Sequence, residues 1–129
     1  MPSGASLNGV EQMRAKLRRI AAKFPDQVMA ALYQETEVEV KEVKRRTPVD
    51  TGMLRGTVHQ VGPTRRGRMI STLIAAGGPA APYAIYVHED LDAQHKVGQA
   101  KYIESVIMES RPYLAARVAR RIELNRLIS

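Results

Sequence analysis

The stretch "KRRTPVDTGMLRGTVHQV", residues 44 to 61, is where one periodicity gives way to another. Upstream of it, Val28, Leu32, Thr36, Val40 and Val43 recur at helical steps. Downstream, "TVHQV" and "RMISTLIAA" are short β-favouring runs, joined by the turn-rich "GPTRRG" into an antiparallel hairpin. Between the two regimes stands Pro48, which ends the helix because the residue before a proline is pushed out of the helical region. Gly52 is the residue free to take a positive φ, so Asp50-Thr51-Gly52 reads as a corner, with Asp50 or Thr51 capping the next turn.

Outward from that corner the pattern continues. Val10, Met13, Leu17, Ile20 and Phe24 mark a first amphipathic helix, with Ser6 or Asn8 as its cap and Pro25-Asp26 as its break. The second helix runs to about Arg46. Its "EVEVKEV" alternates locally like a strand, but Glu37–Lys41 and Glu42–Arg46 form favourable four-apart pairs. Lys44-Arg45-Arg46 also trail, as the helix dipole prefers. Beyond the hairpin, "GGPAAP" (77 to 82) is a loop and "DLDAQHKVG" a polar exposed loop, while "YAIYVHE" fits either a strand or a helical turn. A helix resumes from Gln99 with Tyr102, Ile103, Val106 and Ile107 on one stripe. Pro112 interrupts it. Leu114, Val118 and Ile122 then carry a final helix whose other face holds Arg117, Arg120 and Arg121. The expected layout is α+β in one domain, 1–129: long N-terminal helices, a small central antiparallel sheet with a β-hairpin, and C-terminal helices.

Composition narrows the function classes. The 129 residues include no cysteine, which excludes disulfides and thiolate metal sites. Residues 1 to 10 lack the layout of a secretory signal and no apolar run reaches membrane-spanning length, so the expectation is a soluble protein made in a cytoplasm. Twenty Lys and Arg against 13 Asp and Glu give a net charge of +7, which favours nucleic acid or an acidic protein surface as neighbour. That excess is spread along the chain and gathers in no arm. With no Trp and one Phe, base-stacking platforms are poorly supplied.

The candidate sites are few. Asp-Thr-Gly is the catalytic triplet of aspartic proteases, but there the Asp leaves an apolar strand to meet its twin. Here a charged helix and a proline precede Asp50, and Met53 follows the glycine, so the corner reading holds. His88-Glu89 and His95 suggest a metal, with Asp90 and Asp92 as further oxygens. The two histidines stand seven residues apart across a loop instead of one helical turn apart, so a solvated polar loop is the reading. Lys16-Arg18-Arg19, Lys44-Arg45-Arg46 and Arg117-Arg120-Arg121 read as solvated helix faces. Arg65, Arg66 and Arg68 concentrate charge at the hairpin tip and are the candidate contact with another subunit or DNA. Tyr83, Tyr86 and Tyr102 interleave with apolar residues, as packing aromatics do. Leu124, Leu127 and Ile128 lie too near the chain end for an internal core to take them all.

"RRTPVDTGMLRGTV" following a charged helix resembles the neck and tail-component family of tailed bacteriophages, whose members are labelled minor capsid (gene-product-ten-like), head–tail joining or tail-completion proteins. Thr47, Pro48, Val49, Asp50, Thr51, Gly52, Leu54 and Arg55 fall on the family's first block, with Thr57-Val58 as the strand start. Tyr83, Ala84, Tyr86, Val87 and Glu89 match its second, and Gly98, Gln99, Ala100, Lys101, Tyr102, Ile103 and Glu104 its third. The blocks stand in order, and the resemblance spans roughly residues 25 to 122. The resemblance implies a structural virion protein without catalysis or cofactor, made in the bacterial host and placed at the head–tail interface. Its partners would be copies of itself in a ring, phage neck proteins on the portal, adaptor or head-closure side and on the tail-terminator or tail-tube side, and DNA in the channel; no membrane is implied. A small basic nucleic-acid-binding module is the competing reading of the charge.

Overall fold

One residue, Phe24, separates the first two helices. Helix α1, Pro2–Lys23, and helix α2, Pro25–Arg46, meet there because Phe24 leaves the helical region and Pro25 occupies the first turn, where no N–H is needed. The computed structural model describes residues 2–47, 52–67, 69–76, 83–85, 93–95 and 101–128. Helix α1 begins earlier than the spacing of its apolar residues suggests. Ser6 and Asn8 lie within it and not at its start, where Pro2 suits a first helical turn.

After α2 comes a short helix, α3, Gly52–Thr57, where the sequence suggested a capped turn with Gly52 at a positive φ; Asp50 and Thr51, the expected caps, lie outside the described residues. Gly52 is the first residue of that helix, a helical and not a left-handed setting, and the positive-φ residues among those described are Gly62 and Gly67. Thr57 closes α3 and Val58 is buried, so the first paired strand residue is His59, two positions later than Thr57-Val58 implied.

Strand β1, His59–Arg66, pairs antiparallel with β2, Met69–Ala75. "GPTRRG" is therefore mostly strand and not a link. Val61 faces Leu73 and Thr64 faces Ser71, so β1 carries one extra residue, a bulge at Gly62-Pro63. Gly62 sits at φ +113, and its peptide bond to Pro63 is cis. The turn itself is made at Gly67, φ +62. Strand β2 alternates as a half-buried strand should: Ile70, Thr72 and Ile74 face the core. A second pair joins β3, Tyr83–Ile85, to β4, Ala93–His95. This resolves the ambiguity of "YAIYVHE" toward strand for 83–85. It also corrects the reading of "DLDAQHKVG" as loop, since backbone pairing does not require apolar side chains. The "GGPAAP" loop lies outside the described residues.

Helix α4, Lys101–Ser110, a 3₁₀ turn, Arg111–Tyr113, and helix α5, Leu114–Ile128, complete the chain, with Pro112 in the 3₁₀ turn as the interruption. The core gathers on α2. Its Val28, Ala31, Leu32, Val40 and Val43 pack with Leu17 of α1, Ile103 and Ile107 of α4, and Leu114, Val118 and Ile122 of α5. Ile70 and Ile74 of β2 close the sheet side. Glu35 with Arg121 and Gln34 with Asn125, together with Glu39 near Arg117, show α5 running antiparallel to α2.

The bulge yields a direct test. A Cβ on Gly62 would lie 3.3 Å from both Thr64 N and Thr72 Oγ1, on a backbone that L-residues rarely adopt. Gly62→Ala is expected to cost about 1–3 kcal/mol in denaturant unfolding. An unchanged midpoint would show that the bulge relaxes freely.

Candidate interaction surfaces

The motif corner is built from its two ends. Thr47, fully buried, closes α2: its N–H donates to Val43 O at 3.0 Å and to Lys44 O at 3.2 Å, and its hydroxyl donates to Val43 O at 2.8 Å. Eight residues on, Arg55 of α3 donates from its guanidinium to Thr47 O at 2.6 Å. That carbonyl is one the helix end leaves without a partner inside the helix. Leu54 lies beside Arg55 in α3 with its side chain outside the described set, and Pro48, Val49, Asp50 and Thr51 fall outside it altogether. The ends of the corner are thus tied by a motif arginine, a role that spacing alone did not reveal.

Just before the corner, Arg46 joins α2 to α4. It accepts none of the solvated-face description: its guanidinium contacts Glu109 through two N–H···O bonds at 2.7 Å, Glu42 at 2.7 Å and Ser105 Oγ at 3.1 Å. Arg45 and then Arg46 hold the Glu42 carboxyl down to about 2. The expected Glu42–Arg46 pair is present. Glu37 instead accepts from Gln60 Nε2 at 2.9 Å, and Gln60 Oε1 accepts from Thr72 at 2.6 Å, so this side chain stitches α2 to both strands. The other basic groups are also partly engaged between helices: Lys16 reaches Glu123 at 3.1 Å and Arg121 reaches Glu35 at 2.8 Å.

At the hairpin end, Arg65 and Arg66 are exposed, and Arg68 lies outside the described residues. Successive strand residues point to opposite faces, so Arg65 and Arg66 do not form one cationic face. Arg65 folds back to donate to Gly67 O at 2.9 Å. Tyr83 stands in β3, and Lys101 and Tyr102 open α4, with side chains outside the described set. Tyr86, Glu89 and Gly98 lie outside it too, as do His88, Asp90 and Asp92 of the metal hypothesis. Among the described residues no cluster of three His, Cys, Asp or Glu could hold a metal, and no helix is long and apolar enough to cross a membrane.

Two concavities stand at opposite ends of the α2–α5 pair. The first, about 640 Å³, opens between α2, α4 and α5, and exposed Val38, Met108 and Tyr113 line it. Its floor holds Glu39, a 4 % exposed carboxylate that Ser110 Oγ caps on one oxygen while the other, Oε1, has no hydrogen-bond partner. Burial pushes Glu39 up to about 7, against the Ser110 hydrogen bond and the Arg117 charge, with Glu35 adding to the rise. The second, about 510 Å³, lies where the end of α1 meets the start of α2 and the end of α5. Lys16, Arg19, Lys23 and Arg126 surround Ile20 and Phe24 there.

No family model, curated protein or solved structure matches the chain. The reading of these surfaces therefore rests on the geometry and on the motif blocks.

Sequence reasoning passed over Glu39. The signal was available, because Glu35 and Glu39 share the helical stripe of Val28, Leu32 and Val43, and charged residues are rarely buried without a reason. On the same helix Val38 faces outward, half exposed, which is the other half of the "EVEVKEV" ambiguity.

Two outcomes follow. Arg55→Ala is expected to lower stability by about 1–3 kcal/mol, since it strips a charged donor from a buried carbonyl; an unaltered unfolding curve would break the link between α2 and α3. Glu39 keeps its proton to higher pH in the folded chain than in the unfolded one. Its contribution is therefore full below pH 4.5 and lost as pH rises through about 7. Glu39→Gln, which keeps an acceptor for Ser110, should remove that loss and gain up to about 3 kcal/mol over the parent at pH 8, with little gain at pH 4. Parallel stability–pH curves for the two proteins would contradict the burial argument.

Proposed function

We propose that this chain is a non-enzymatic structural protein of a tailed-phage virion, a ring subunit of the neck that joins the DNA-filled head to the tail. The observation that carries the reading is the set of three motif blocks in order, the first of which frames a corner made for structure. Thr47 and Arg55 spend their polar groups on holding two helices together, and the Asp-Thr-Gly between them follows a charged helix where a protease would place an apolar strand. Exposed apolar side chains at the end of α5, Leu127 at 82 % and Ile128 at 83 %, add support, because a neighbouring subunit is a natural cover for such a surface. The net charge of +7 suits acidic neck neighbours on the portal and tail sides, or DNA in the channel.

A second reading, a small basic nucleic-acid-binding module, draws on the exposed Arg65 and Arg66 at the hairpin end. It calls for salt-sensitive DNA binding by the isolated chain. The deciding experiment removes the gene from the phage genome that carries it and images the particles by electron microscopy. The neck reading expects filled heads and tails that remain unjoined, restored to joined particles by the gene supplied in trans. Normal yields of joined, infectious particles without the gene would overturn it.

A further inference from the structure

The two concavities differ in charge as well as place. The cleft at the α2–α4 end has three carboxylates on its lining, Glu39, Glu42 and Glu109, against Arg46 and Arg117. The pocket at the other end is lined by four cations and no acid, and Glu123, which pairs with Lys16, stands beside it. Both carry apolar side chains that the fold leaves exposed: Val38, Met108 and Tyr113 (58 %) at the first, Phe24 (53 %), Leu127 and Ile128 at or beside the second. Glu39 Oε1 gives the cleft one demand that the chain does not meet itself. It is a buried acceptor without a donor, and such groups are rare because each forfeits its hydration.

We propose that the basic, apolar end of α5 and α1 on one copy of this chain docks into the acid-floored cleft between α2, α4 and α5 of the next copy. Leu127 and Ile128 cover Val38, Met108 and Tyr113, and the cations around them face the exposed Glu109 and part-exposed Glu42 at the rim of the cleft. Charge argues against a twofold contact through the basic patch. A twofold contact sets each patch against itself, which for the second patch means Lys16, Arg19, Lys23 and Arg126 facing their own copies, and like charges brought together at an interface cost several kcal/mol. Joining the unlike patches is heterologous, and a heterologous contact repeated from copy to copy closes into a ring when its rotation closes. The proposal rests on the ring-subunit reading for its biological setting, while its geometry comes from the two patches alone.

The absence of cysteine makes the contact directly testable. Tyr113→Cys, Met108→Cys and Leu127→Cys each place a thiol on an exposed position, so folding is not at stake. Positions 113 and 127 of one chain are about 21 Å apart along the helix, far beyond the Cα separation a disulfide tolerates. Any 113–127 bond therefore joins two chains. Equimolar mixtures of the single variants, one of them mass-tagged, are oxidised over a range of protein concentrations up to millimolar. The expected result is 113–127 and 108–127 disulfides in several-fold excess over 113–113 and 127–127. Their yield should fall in high salt and on adding Lys23→Glu to the Leu127→Cys chain. Homotypic 127–127 bonds in excess, or no interchain bond at any concentration, would overturn the proposal. The result is separable from the neck reading: unjoined particles on gene deletion together with only homotypic bonds would sink this interface and leave the function standing. The reverse pair of results would sink the function and leave the interface.

Discussion

The antiparallel contact between α2 and α5 is the interaction on which the rest of the fold depends. Helix α2 touches α1, α4, α5 and both strands of the hairpin, so every layer of the core is anchored to it. Its buried stripe is not uniformly apolar: Glu35, Thr36 and Glu39 sit midway between Val28–Leu32 and Val40–Val43. Apolar packing alone tolerates small slides between helices. The directional contacts Glu35–Arg121, Gln34–Asn125 and Glu39–Ser110 hold α2, α4 and α5 to one offset. Glu35 is buried but Arg121 is one-third exposed, so solvent screens the pair and its loss costs less than the roughly 3–5 kcal/mol of a fully buried one.

That polar stripe also links fold to surface. A carboxylate placed at Glu39 is costly to bury, and the chain supplies it with a single hydroxyl. The same stretch of α2 turns Val38 outward beside it. An uncompensated acceptor and an exposed valine thus stand on adjacent residues of α2. At the far end of the helix pair, Phe24, Leu127 and Ile128 show the complementary shortfall: apolar surface with cations around it.

How much of this the sequence disclosed depends on the range of the interaction. The helices and the hairpin were legible, since Pro25, Pro48 and Pro112 punctuate the chain and the apolar spacing switches after the corner. The boundaries were misread where a backbone feature outweighs side-chain pattern. β1 continues through Gly62-Pro63 because a bulge absorbs the extra residue, and α3 intervenes where a turn seemed sufficient. Ion pairs within one helix, such as Glu42–Arg46, follow from spacing. Those between helices do not, and neither the reach of Arg46 to Glu109 nor that of Arg55 to Thr47 has any trace in local pattern. Arg55 belongs to a motif block by its sequence, while its work in holding the corner is visible only in space. The hairpin arginines illustrate the opposite error, because a run of charge in sequence became opposite faces of a strand in space.

The proposed role and the proposed interface share one claim: that the chain works as a repeated subunit whose two unlike ends meet. On the proposed phage origin, cryo-electron microscopy of intact particles addresses this most directly. The prediction is a ring of this chain at the head–tail junction, with the α5 end of each subunit seated between α2 and α4 of its neighbour. Particles with complete necks and no density for this chain would contradict the account.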